Sequence, residues 1–141
     1  MTRYVVDTGV VLRLAAEGLE ANPAHQLLAP TLLRSQVLST VHEAVHRGEL
    51  TAADGRDRLA RVGTMRIRFL GDGVLRRRAW DIADQLGWAS TYAAEYLALT
   101  QLQGDAFVTL DDELARAAAG IVPLASFDAL FIESDPEPPE R

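Results

Sequence analysis

A short β-branched run, Tyr4-Val5-Val6, ends in the carboxylate of Asp7, and an apolar helical pattern begins at Thr8 with no loop between them. A strand that passes straight into a helix puts Asp7 at the carboxyl edge of a sheet, where open α/β sheets place their ligands. The pattern returns late in the chain as Phe107-Val108-Thr109-Leu110-Asp111-Asp112. If the two strands are parallel neighbours, Asp7 and Asp111 meet. Facing carboxylates need a cation, and hard divalent metals take oxygen ligands.

The chain has 141 residues, 48% of them hydrophobic, which fits one globular domain with a real core. No apolar run reaches the roughly 18 to 20 residues that span a bilayer. A charge interrupts the short apolar start Met1 to Asp7, so it does not read as a signal peptide. Cysteine is absent, which excludes disulfides and thiolate metal sites and suits a cytoplasmic protein. Net charge is −6, and the segment Glu133 to Arg141 holds four acids and one base, so residues 1–132 carry −3. No overall basic field draws in nucleic acid. The one dense basic run, Arg76-Arg77-Arg78, reads first as a solvated helix face.

Along the chain, Thr8 to Glu17 reads as a helix stopped by Gly18. Asn22-Pro23 opens a short helix to Leu28, which Ala29-Pro30 breaks. Thr31 to Arg47 is a long helix with Leu33, Val37, Val41, Ala44 and Val45 as its apolar stripe. Thr51 and Asp54 resemble the start of a capping box for the next helix. Met65 to Phe69 alternates apolar and basic residues, the pattern of a half-buried strand. Helices follow over Val74 to Leu86 and from a Ser90 or Thr91 cap to Gln103. Ala106 to Leu110 is a buried strand, Asp112 to Ala119 a helix, and Ile121 to Ala125 a last short strand. Strands alternating with helices imply a parallel α/β sheet. Residues 1–132 read as one domain and 133–141 as a disordered, acidic, proline-rich tail.

These segments carry a resemblance. Val5-Val6-Asp7-Thr8-Gly9-Val10-Val11-Leu12, Ala29 to Leu38, Thr91-Tyr92-Ala93-Ala94-Glu95-Tyr96-Leu97-Ala98-Leu99 and Phe107 to Asp111 together resemble PIN-domain proteins of the VapC type, the toxin half of bacterial toxin–antitoxin pairs. The resemblance implies a three-layer α/β/α fold with a central parallel sheet. It also implies a small metal-dependent ribonuclease, dimeric and held inactive by a cognate antitoxin, with an acidic cluster that binds Mg2+ or Mn2+. Asp7 matches the first-strand acid and Asp111 the late-strand acid, with Asp112 beside it as an assisting ligand. Two slots depart from the pattern. Gln36 stands where the family usually has glutamate, and Ala93 where it usually has aspartate. An amide still offers a metal one oxygen; alanine offers none, so binding and rate should fall. Ala93 is read either as a natural loss or as a substitution of an original aspartate. The intact neighbours Thr91, Tyr92, Ala94, Glu95 and Tyr96 favour the second.

Glu43 lies seven positions after Gln36, about 10 Å along a helix axis. That is too far for a simple exchange of ligands, though it leaves Glu43 able to reach a second metal or a water. Glu95 and Asp112 each also read as ordinary first-turn acids favoured by the helix dipole. Residues 42–46 spell His-Glu-Ala-Val-His, the zinc-protease pattern, with Glu43 as its general base. Zinc catalysis needs a third protein ligand, and the remaining histidine, His25, lies upstream. Trp80, Trp88, Tyr92 and Tyr96 suit RNA stacking, but core or dimer packing is the commoner role. The chain is therefore expected to be a cytoplasmic, Mg2+-dependent endoribonuclease toxin, weakened by Ala93, that acts on RNA and pairs with an antitoxin as a homodimer. Asp7, Gln36, Glu43, Asp111 and position 93 are its expected site. A non-catalytic PIN-type binding module and a zinc metalloprotease are the alternatives.

Overall fold

The computed structural model describes residues 1–133, so the expected tail from Ser134 on lies outside the described residues. The elements run β1 (Arg3–Val6), α1 (Thr8–Glu17), β2 (Gln26–Pro30), α2 (Leu32–His46), α3 (Ala52–Thr64), β3 (Ile67–Leu70), α4 (Gly73–Leu86), α5 (Tyr92–Gln103), β4 (Ala106–Val108) and α6 (Asp112–Ala118), then a 3-10 turn (Phe127–Phe131). The sheet is parallel throughout, in the order β3-β2-β1-β4. Val5 of β1 stands between Leu28 of β2 and Phe107 of β4.

The chain steps outward from β1 to β2 to β3, then returns past β1 to add β4 on the far side. Right-handed crossovers send helices made on the outward path to one face and those made on the return to the other. Accordingly α1, α2 and α3 touch one another, while α4 packs on α5, which covers β1, β2 and β4. The result is the three-layer α/β/α arrangement. Its switch point falls between β1 and β4, at the strand ends that carry Asp7 and Thr109.

Sheet burial explains both what the local pattern predicts and where it misleads. Val5, Val6, Leu28, Ala29, Phe107 and Val108 are all buried, as strands covered on both faces must be. Residues 22–28 do not form the expected short helix; Gln26–Pro30 is β2 instead. A short apolar run such as Leu27-Leu28-Ala29 carries no period that separates strand from helix. Pro30, expected to break a helix, is the last residue of the strand. The expected strand at 121–125 shrinks to a single bridge between Phe107 and Leu124, because Pro123 has no N–H to extend a ladder. The half-buried strand begins two residues later than expected, since Met65 still closes α3.

Side-chain caps set most helix starts. Asp7 caps α1, Thr51 caps α3, Asp72 caps α4 and Asp111 caps α6, each through its side-chain oxygen. Gly18 ends α1 in the left-handed region at φ 63°. Gly104 ends α5 for a different reason, close approach. A Cβ there would lie 2.8 Å from Val5 Cγ2 and 3.2 Å from Thr100 Cα. Gly104→Ala should therefore cost about 1–3 kcal/mol of stability by overpacking the seam between α5 and β1. Urea unfolding reads this directly, and an unchanged midpoint would count against the packing described.

Candidate active site at the carboxyl edge

Asp7 leaves β1 and caps α1 in one step. Its Oδ1 accepts the Val10 N–H at 3.1 Å, and its Oδ2 accepts the Thr109 hydroxyl at 2.5 Å. The same Thr109 oxygen accepts the Asp111 N–H at 3.1 Å. One hydroxyl thus joins the end of β1 to the turn after β4. Asp111 in turn accepts the Glu113 and Leu114 N–H groups at 3.0 and 3.1 Å, capping α6.

Burial pushes the Asp7 carboxyl above its usual value. The bonds from Thr109 and Val10 oppose that rise, and the nearby Asp111 charge adds to it. The two carboxylates therefore share one electrostatic environment at the switch point.

A second group adjoins the first. Tyr96 of α5 is buried, and its hydroxyl donates to Gln36 Oε1 at 2.6 Å. Thr8, next to Asp7, donates to that same oxygen at 3.3 Å. Burial pushes the Tyr96 phenol up to about 12; the Thr8 hydroxyl opposes the rise, and the charges of Asp7 and Glu95 support it. Gln36 is thus drawn to the Asp7 end of the sheet, but its oxygen is already occupied by two hydroxyls.

The other expected residues lie differently. Ala93 sits in the first turn of α5, one turn before Tyr96, and lines a shallow recess with Gly87, Trp88, Ala89 and Ser90. Asp112 is the first residue of α6 and is exposed. Glu43 is exposed on the C-terminal half of α2. Glu95 is partly buried, which raises its carboxyl against the opposing pull of Arg76. His42 and His46 are exposed beside Glu43, while His25 is buried with Nε2 against the Ile132 carbonyl. The zinc-protease pattern therefore lacks its third ligand among the described residues. A larger cleft opens at the other edge of the sheet, lined by Gly18, His25, Leu27, Arg61 and Met65, away from the carboxylates.

No protein-family model matches the chain. Curated relatives do. The chain is 33% identical over 129 residues to a VapC ribonuclease of Mycobacterium bovis and to ribonuclease VapC9 of Mycobacterium tuberculosis, covering 85% of this chain and 94% of each relative. The chain belongs to the VapC ribonuclease family. Two solved structures share the fold. PAE2754 from Pyrobaculum aerophilum superposes with a TM-score of 0.71 at 22% identity, covering 92% of both chains. VapBC2 from Rickettsia felis, bound to a DNA fragment from its promoter, gives 0.58 at 9% identity, covering 88% of this chain and 98% of that one.

Within this VapC fold the donor set suits a hard cation only in part. Asp7 and Asp111 offer carboxylate oxygens, and the Gln36 oxygen accepts from two hydroxyls. No three His, Cys, Asp or Glu side chains gather among the described residues. Sequence reasoning missed Thr109, Thr8 and the Tyr96 hydroxyl. The signal for Thr109 was present, since it stands two residues before Asp111 at the end of β4.

The raised Asp7 carboxyl has a stability consequence with a definite sign. Unfolded, it titrates near 3.8; folded, it holds its proton to higher pH. Between those two values the folded state binds more protons, so its stability falls as pH rises and stays lowered above the folded value. Asp7→Asn keeps one oxygen for the helix cap, turns an NH2 donor toward the Thr109 hydroxyl, which can accept it, and loses the buried charge. The variant should melt above the parent at neutral pH, with the gap closing as pH falls toward 3.8. Thermal melts across that range check it, and a gap independent of pH would contradict it.

Proposed function

We propose that this VapC protein is a metal-dependent endoribonuclease toxin of a toxin–antitoxin pair, acting in the cytoplasm, with cutting weakened by Ala93. One observation carries the reading. In a chain 33% identical to VapC ribonucleases, Asp7 and Asp111 follow adjacent parallel strands, and the Thr109 hydroxyl links the Asp7 carboxylate to the Asp111 backbone N–H. The relatives' names support RNA as substrate, and the VapBC2 assembly supports an antitoxin partner.

Asp7 and Asp111 would hold Mg2+ or Mn2+. When bound, such an ion polarises the phosphate and lowers the pKa of the attacking water. Thr109 holds Asp7 Oδ2 in place. Gln36 lies beside the site, locked by Tyr96 and Thr8, where it can orient phosphate or water. Asp112, the first residue of α6, would act as an assisting acid, and Glu43 lies two helical turns from Gln36 along α2. A second reading, a VapC-type module that binds RNA or protein without cutting, is favoured by the methyl group at position 93.

Ala93→Asp separates the two. Restoring a carboxylate should recover metal binding and cleavage together. Cleavage should rise on the order of a hundredfold if the lost ligand is worth about 3 kcal/mol at the transition state. Both proteins are assayed on one structured RNA with Mg2+ and with Mn2+. No gain in either measurement would mean position 93 is not a ligand slot.

A homodimer is part of the proposal. Trp80 is 65% exposed, and Val74 and Tyr92 are also exposed, apolar side chains on α4 and α5 that a second copy could cover. Sedimentation at high micromolar concentration should show a species near twice 15.4 kDa; a lone monomer would count against the dimer.

A further inference from the structure

Gln36 has a definite polarity. Its planar amide carries oxygen on one branch and two N–H donors on the other. The oxygen is held between the Tyr96 and Thr8 hydroxyls at 2.6 and 3.3 Å, so the donors point away from both. Among the described residues, none accepts from them. The orientation follows from the phenol. Tyr96 is buried to 3% exposure and stays protonated, so its O–H always needs an acceptor. With the amide turned, the phenol would accept from the NH2 group and its own O–H would lose the 2.6 Å acceptor it has on Gln36. The acidic groups nearby have the opposite character. Asp7 and Asp111 are acceptors whose oxygens already take N–H and O–H bonds.

We propose that Tyr96 is a positioning residue: it holds the Gln36 oxygen inward, so that this slot offers N–H donors to a phosphodiester oxygen of RNA instead of an oxygen ligand to a cation. The proposal rests on the RNA-processing reading of the site. A donor pair suits phosphate oxygens, which only accept.

The test uses the full chain and a double-mutant cycle of Tyr96→Phe and Gln36→Ala. Phenylalanine keeps the ring that packs 6.2 Å from Phe107 and removes only the hydroxyl. Without it Gln36 can turn its oxygen outward. Mn2+ binding in the absence of RNA should then tighten, roughly three- to tenfold, the worth of one added oxygen contact. Binding of a single-stranded RNA oligonucleotide in EDTA should weaken by a similar factor. Both changes should vanish in the Gln36→Ala background. A merely structural tyrosine would loosen both ligands in either background. Unchanged or weaker Mn2+ binding in Tyr96→Phe, or the same shift without Gln36, overturns the proposal. A second measurement needs no variant. The side-chain amide resonances of Gln36 should move when RNA or inorganic phosphate is added in EDTA, and still resonances would also overturn it. Neither readout uses cleavage, so this proposal and the nuclease reading fail separately: the latter falls when Ala93→Asp gains nothing.

Discussion

The Asp7 carboxylate is the joint on which the rest of the molecule turns. With no loop between β1 and α1, one side chain must both end the strand and start the helix. It caps α1 through Val10 N–H and, through Thr109, ties the central strand to the turn after β4. Fixing that joint sets the height of α1 against the sheet and brings the β4 turn alongside. The cost is desolvation, seen in the raised carboxyl. A charge kept buried at an element junction is a local conflict, and such conflicts concentrate at functional sites.

Parallel topology does the remaining gathering. Every strand ends at the same edge, so Thr31, Asp7 and Thr109, which directly follow β2, β1 and β4, lie side by side with no dedicated loop. α5 approaches that edge from the other face and delivers Tyr96 to Gln36. Residues far apart in sequence meet there because the β1 to β4 switch opens a crevice between their helices.

How much of this was legible depends on whether the signal was local. Helix bounds marked by caps and glycines were: α1 begins at Thr8 and ends at Glu17 as the pattern predicts. So were β1, which stops at Asp7, and the start of β4, although β4 ends at Val108, two residues short of the expected Leu110. β2 was not, since burial on both faces erases the two-residue alternation that marks a strand. The Tyr96–Gln36–Thr8 bonds were not legible either. From Ala94 to Thr100, α5 is buried at every position but Glu95, so it has no apolar stripe from which to tell which way Tyr96 points. A hydroxyl's partner across the sheet is a property of packing, which no single-chain pattern encodes.

The site residues differ in what they testify. Asp7 and Asp111 each cap a helix, a task worth about 0.5–2 kcal/mol in its own right. A chain that had given up catalysis would still keep them for the fold. Gln36 likewise satisfies a buried phenol, so it too has a structural reason to stay. Position 93 has no such second task. It caps nothing, accepts nothing, and sits half-buried beside a shallow recess. An acid there would share the first-turn dipole benefit of Glu95 but would cap nothing. The two carboxylates are therefore weak witnesses to chemistry on their own. Under the proposed function, position 93 is therefore where cutting of RNA is best tested, because a side chain there disturbs no cap.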